Sequence, residues 1–263
     1  MWLQPNNTIY QKVKNLIGKV ALVTGASRDI GRAISISLAK SGVKVLVNYF
    51  RDKSMGEETA SIINNNGGDA KTVYADVTNS KDVSNMIKES QKIFGNEVHI
   101  LVNNVGGLFA RKKISEIDEN FYNLLMDVNF KSVFLVTKAI KPLMSRGGSI
   151  INISSQAARD GGGSGSSLYS ASKGAVTSYT RALAKEFGPG GIRVNAITAG
   201  MTSTRFHDDF TSNEIRKKVA SATPLVREGK PEEIADLAIY LASDSSSYIT
   251  GANIDINGGI LNS

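Results

Sequence analysis

From residue 19 onward, short runs rich in valine and isoleucine alternate with longer amphipathic stretches, and this alternation restricts the fold more than any other feature. Residues 20–23, 43–47, 100–102, 150–153 and 194–197 have the continuous apolar, mostly β-branched character of strands covered on both faces. Between them, apolar residues recur at helical spacing, as in Ile30-Ala33-Ile34-Leu38, Val83-Met86-Ile87, Phe121-Leu124-Leu125-Val128 and Ala235-Ala238-Leu241. A parallel strand needs a crossover before its neighbour can pair with it, and a helix supplies one. The pattern therefore predicts a single α/β domain, a doubly wound parallel sheet over residues 18–263. It carries no internal repeat or dividing linker. Residues 1–17 read as an N-terminal extension.

Composition removes several kinds of chemistry. The chain has no cysteine, which excludes disulfides, thiolate metal sites and a thiol nucleophile. His99 and His207 are its only histidines and stand far apart, so no multi-histidine metal centre is expected. The net charge of +7 is spread out, and its densest runs, Lys112-Lys113 and Lys217-Lys218, each extend by only one preceding arginine. That is a solvated basic surface rather than a nucleic-acid stripe. No stretch has the roughly 18 consecutive apolar residues of a membrane helix, and the first residues lack a secretory apolar core. A cytoplasmic location is expected.

In a parallel sheet the ligand crevice lies at the carboxyl ends of the strands. Two segments leave predicted strands there, the glycine–serine stretch 160–167 and the polar stretch 201–230, and both are candidates to cover a substrate. The first predicted strand runs into Gly25-Ala-Ser27-Arg28-Asp29-Ile30-Gly31 and then directly into a helix. Glycines let backbone N–H groups approach a pyrophosphate at that turn, facing the positive end of the helix dipole. An acid that would hold a ribose 2′-hydroxyl is missing from positions 48–50. Arg28 and Arg51 can instead pair with a 2′-phosphate, so the expected cofactor is NADPH. Asp52 is the rival feature, because a shifted register would bring it to the ribose.

Tyr169 and Lys173 stand four residues apart, on one face of a predicted helix. The spacing alone is unspecific, since Tyr10/Lys14 and Tyr49/Lys53 share it. Only Tyr169 follows a strand ending in Ser154-Ser155 and precedes a long helical stretch. A nearby ammonium favours phenolate, so Lys173 is expected to lower the Tyr169 pKa.

The chain resembles the short-chain dehydrogenase/reductase family, in its branch similar to 3-oxoacyl-(acyl-carrier-protein) reductases. The resemblance covers residues 18 to about 259. It rests on Thr24-Gly25…Gly31, Asp76-Val77, Asn103-Asn104-Val105-Gly106, Asn129, Ser154-Ser155, Tyr169…Lys173, Arg193-Val194-Asn195-Ala196 and the closing 229–234, 247–251 and 257–259 segments. It implies a Rossmann-type sheet of seven parallel strands in the order 3-2-1-4-5-6-7, helices on both faces, and a substrate loop at about 201–230. It also implies reduction of a carbonyl to an alcohol with NADPH. Tyr169 would be the proton donor, Ser155 the carbonyl partner with Ser154 as alternative, Lys173 the ribose and proton-relay group, and Asn129 the residue ordering a relay water.

By the same resemblance the cofactor would meet Gly25, Ser27, Arg28, Ile30 and Gly31 in the turn, and Asn48, Tyr49 and Arg51 after the second strand. Asp76 and Val77 would frame the adenine, and Asn103, Val105 and Gly106 would line the crevice. Gly200, Met201, Thr202 and Thr204, with Tyr169 and Lys173, would cover the nicotinamide end. The chain departs from the family at Asp29 for glycine, Ala199 for proline and Val105 for alanine. Asp29 is expected to cap the helix. Arg146 stands where carrier-protein reductases have one docking cation, but Gly190 occupies the second position. With half of that docking pair missing, a general carbonyl reductase of this branch is expected, and a 3-oxoacyl group is the leading specific substrate, with acyl carrier protein as a candidate partner in fatty acid biosynthesis. Sugar, steroid or other small-alcohol dehydrogenation is the alternative, and a non-catalytic nucleotide-sensing protein is a more distant one. The resemblance further implies a homotetramer built through helices over 121–145 and 169–187.

Overall fold

In the computed structural model, residues 15–261 are described. Most of the expected extension 1–17, with Tyr10/Lys14, lies outside them. Seven parallel strands form one sheet in the order β3-β2-β1-β4-β5-β6-β7. They are β1 Val20–Val23, β2 Lys44–Tyr49, β3 Asp69–Tyr74, β4 Ile100–Asn103, β5 Ser149–Ser155, β6 Arg193–Ala199 and β7 Asn253–Ile256. The helices are α1 Asp29–Lys40, α2 Lys53–Asn65, α3 Ser80–Phe94, α4 Glu119–Met126, α5 Ser132–Ile140, the short α6 Ala157–Asp160, α7 Ser167–Phe187, α8 Arg205–Phe210, α9 Asn213–Ala222 and α10 Pro231–Ala242.

Alternation along each central strand divides the core into two layers. Ala21 and Val23 of β1 join Ile34 and Leu38 of α1 and Ile234 and Leu241 of α10 on one face. Val20 and Leu22 join Met86 of α3, Val136 and Ile140 of α5 and Leu183 and Phe187 of α7 on the other. Each fully buried leucine or isoleucine contributes about 2 kcal/mol by leaving water. This burial on both faces is what the unbroken apolar runs announced.

The expected strand order is found, with every pairing parallel. Two strands have no counterpart among the five apolar runs, β3 and β7. Both are edge strands with only partial cover, and they mix polar with apolar residues. The predicted helix over 121–145 is broken. Between α4 and α5 the chain makes a π turn, Asp127–Lys131, and after α5 a 3-10 turn, Lys141–Leu143. The polar stretch 201–230 contains α8 and α9 rather than irregular loop, and its ends are joined where Gly229 N donates to Met201 O and Ser203 N donates to Gly229 O.

Candidate active site

The turn after β1 is fixed from below. Asn48, 1% exposed, accepts from Gly25 N through Oδ1 at 3.1 Å, while its Nδ2 donates to the carbonyls of Val73 and Ala75. Gly25 adopts φ +60°, and a Cβ on Gly31 would collide with the Gly25 carbonyl. Asn104 closes the turn by donating through Nδ2 to the carbonyls of Thr24 and Gly25, both at 3.1 Å. The first N–H groups of α1 have no partner within their own helix, and Ile30 lies on the wall of the cavity beyond.

Asp29 departs from its expected role. The N-cap position belongs to Arg28, with no side-chain capping bond, and Asp29 is the first helical residue, at φ +50°. Its Oδ1 accepts from the backbone N–H of Arg205 at 3.3 Å, and its Oδ2 lies 3.7 Å from Arg28 Nε. One residue too late to cap α1, the carboxylate instead ties the nucleotide turn to the start of α8. Aspartate tolerates this positive φ better than most residues.

At the carboxyl ends of the strands lies one cavity of about 780 Å³, the size of a cofactor and substrate site. Lys173, 3% exposed, donates from Nζ to the Ile153 carbonyl at 2.9 Å. Burial pushes its pKa down to about 8. Asn129 lies in the π turn, fully buried, with Oδ1 accepting from Gly107 N and Nδ2 donating to Gly107 O, each at 2.9 Å. Gly106 is wedged between the two, since a Cβ there would come 2.7 Å from Lys173 Nζ and 2.9 Å from Asn129 Oδ1.

Tyr169 and Ser155 share the cavity wall. Desolvation raises the Tyr169 phenol above its ordinary value, and the neighbouring Ser155 hydroxyl partly offsets this. The expected lowering by Lys173 is therefore not found. Burial dominates, and Lys173 Nζ is bonded to the Ile153 carbonyl. Ser155 Oγ accepts from Ala157 N, whereas Ser154, 3% exposed, donates its hydroxyl to the Lys173 main-chain carbonyl. Of the two serines, Ser155 is the one beside the phenol.

The cavity is also lined by Gly25, Ser27, Arg28, Arg51, Val105, Gly106, Gly200, Met201, Thr202 and Thr204. Gly31, Asn48, Tyr49, Asp76, Val77, Asn103 and Asn129 do not line it. Asn103 donates to Thr137 and Asn152 inside the sheet. Asp76 accepts from the Thr78 N–H and hydroxyl, and Tyr49 packs edge-on against Tyr74. Asp52, the rival for the ribose, is the N-cap of α2 and accepts from Met55 N. A turn in which Gly31 leaves no room for a Cβ, opening onto this cavity, fits a dinucleotide cofactor. Among the described residues no cluster of histidine and carboxylate side chains could hold a metal ion.

The far wall comes from residues that the sequence reasoning did not single out. Phe109 lines it from the segment after β4, and Phe206, His207 and Phe210 line it from α8. Arg111 fastens the two covering segments, donating from Nε to the Phe210 carbonyl at 3.3 Å and from Nη1 to the Ser164 carbonyl at 3.1 Å. Burial holds the His207 pKa down at about 4. The aromatic spacing Phe206…Phe210 inside a polar stretch was the available signal.

Comparison with known proteins agrees with this geometry. The family model described as enoyl-(acyl carrier protein) reductase matches residues 25–261. A 3-oxoacyl-[acyl-carrier-protein] reductase of Synechocystis is 38% identical, over 94% of this chain and 98% of its own length. Glucose 1-dehydrogenase 2 of Bacillus subtilis is 36% identical, over 94% of this chain and 96% of its own. Among solved structures, a blue fluorescent protein from a metagenomic library, in complex with NADPH, superposes with a TM-score of 0.88 at 32% identity, covering 94% of this chain and all of that one.

Proposed function

The chain belongs to the short-chain dehydrogenase/reductase family, and from that premise we propose that it is an NADPH-dependent carbonyl reductase with Tyr169 as proton donor. That it is an NAD(P)-dependent oxidoreductase follows from the family. The observation that carries the finer reading is the convergence of Tyr169, Ser155 and Lys173 on the same cavity wall as the glycine-rich turn.

Held by the glycine-rich turn with Arg28 and Arg51, NADPH would supply a hydride to the carbonyl carbon. As that carbon–oxygen π bond opens, negative charge develops on the oxygen, and a positioned donor lowers the barrier. Tyr169 gives that oxygen its proton, and Ser155 holds the oxygen by a second hydrogen bond. A phenol whose pKa is raised stays protonated through the neutral range, as a proton donor must. Lys173, at about 8, is the group through which the phenol regains its proton. Asn129 holds Gly107, and so keeps the backbone at Gly106 against the lysine.

Preference for NADPH is supported by Arg28 and Arg51 on the wall, and by the commitment of Asp52 to capping α2. The named relatives suggest two substrate classes, a 3-oxoacyl thioester and a sugar. With Arg146 present but glycine at 190, a free carbonyl substrate fits better than one delivered on acyl carrier protein. The test is oxidation of NADPH and NADH, followed by absorbance, against a panel of ketones, 3-oxoacyl thioesters and sugars. Turnover with NADPH that falls about 10²- to 10⁴-fold in Tyr169→Phe is expected. Near-normal turnover in that folded variant would refute the mechanism, and a preference for NADH would refute the cofactor assignment.

A further inference from the structure

Phe109 is one of few non-glycine residues with a left-handed backbone, at φ +62°. It is the central residue of a three-residue turn in which Ala110 N donates to Leu108 O at 2.7 Å. A γ-turn of this hand is rare and strained, and for an aromatic residue the conformation costs on its own. The ring gains little burial in exchange, since Phe109 remains 36% exposed. It folds back over Gly107, where a Cβ would come 3.2 Å from its Cζ, and it lines the cavity that holds Tyr169. Strain that fixes a partly exposed ring on a cavity wall points to something the ring contacts there.

A second cluster faces the same cavity. The Phe206 ring lies 5.9 Å from the Tyr169 ring, centroid to centroid, tilted by 39°. Phe210 and His207 meet Phe206 edge-on at 5.5 and 5.0 Å. His207 is uncharged near neutral pH, so it presents a flat, weakly polar surface. A carbonyl oxygen held by Tyr169 leaves its two carbon substituents within one or two bonds of that phenol. Phe206 is the ring nearest to the phenol, and a substituent there meets it first.

We propose that Phe109, Phe206 and Phe210 select the substrate, and that it is a ketone, or the matching secondary alcohol, bearing an aryl ring or similarly flat apolar group beside the carbonyl. This rests on the carbonyl-reductase reading and narrows it. Flat rings prefer offset or edge-on contacts with such a wall, which add to the gain from burial alone. An aliphatic methyl or ethyl group fills the same space poorly and loses that contact.

The experiment compares kcat/KM for acetophenone and 2-butanone with NADPH, in the parent and in Phe109→Ala, Phe109→Leu and Phe206→Ala. Each variant is checked for folding by circular dichroism. The parent is expected to favour acetophenone by about 10- to 100-fold. The aryl-to-alkyl ratio should fall about tenfold in each alanine variant and less in Phe109→Leu. A parent ratio near one, or a ratio unmoved by all three substitutions, overturns the assignment while the 2-butanone turnover upholds the carbonyl-reductase reading. Turnover of neither ketone, nor of any carbonyl in the wider panel, overturns both. Turnover of sugars or thioesters alone overturns only the aryl assignment.

Discussion

At the scale of single residues, the site combines groups held against their ordinary preferences. Lys173 is the clearest, buried with a main-chain carbonyl as its hydrogen-bond partner and a pKa of about 8. The unfolded chain keeps this proton up to about pH 10.4, so the burial penalty is fully present below the folded value of about 8 and is relieved as pH rises from there to about 10.4. Lys173→Met should therefore be inactive yet at least as stable as the parent at pH 7, by about 1–2 kcal/mol in urea unfolding. A large loss of stability would instead make the lysine a structural strut. Reduction should slow as pH rises through about 8, where Lys173 loses the proton it returns to the phenol. Asp29 is a second case. Its carboxylate pairs with Arg28 and lies on the wall where the cofactor phosphates are to bind. Asp29→Asn should tighten NADPH about fivefold by titration calorimetry, the scale of one water-screened like-charge contact of about 1 kcal/mol. Phe109→Gly should cost little stability, because glycine accepts a positive φ without strain and the ring is only partly buried.

Among elements, α8 and α9 form a cover whose attachment is specific. Arg216 of α9 pairs with Asp208 and, through Nε at 2.7 Å, with Glu228. Arg111 joins α8 to the glycine–serine segment. Arg111→Met should free both covers, raising KM for substrate more than it lowers kcat, and should speed tryptic cleavage within 205–218. His207 belongs to the same element. Its folded pKa of about 4 lies below the ordinary 6.5, so the stability it contributes is present above pH 6.5 and is lost as pH falls toward 4. Acid-induced loosening of the cover, read by proteolysis at pH 5 against pH 7, should disappear in His207→Phe. These elements were hard to read in advance because a cover has no continuous apolar face. Its helices hold through ion pairs and two or three aromatic rings, which leave no period in the sequence. Strands β1, β2, β4, β5 and β6 were legible for the opposite reason, being apolar on both sides. Edge strands β3 and β7 are only partly covered and mix polar with apolar residues, so neither leaves an unbroken apolar run.

For the molecule as a whole, the carboxyl edge of the sheet gathers chemistry from segments nearly two hundred residues apart. Tyr169, Lys173, Ser155 and the turn at Gly25 were legible because each follows a recognisable strand or opens a recognisable helix. Asn48 and Asn103, expected to meet the cofactor, also hold the protein together, one bonding the glycine-rich turn to β3 and the other joining β4 to β5. Asn195 is similar, binding the closing segment through Ile249 O and Ala252 N. Tyr122, Leu124 and Phe134 leave α4 and α5 exposed and apolar on the outside, as a surface covered by further copies would be. Light scattering is expected to give four times the 28.1 kDa chain mass, and Leu124→Glu to reduce it. The π turn at Asp127–Lys131 has its own implication. It holds one more residue per turn than the helices it joins, and deleting one would let α4 and α5 fuse into a single rod. Everything on one side would then rotate by about 100° relative to the other, swinging Asn129 off Gly107. Because Val136 and Ile140 of α5 belong to the core, a single-codon loss at this point should cost both the site and the packing beneath it, whereas a residue added to an exposed loop costs far less.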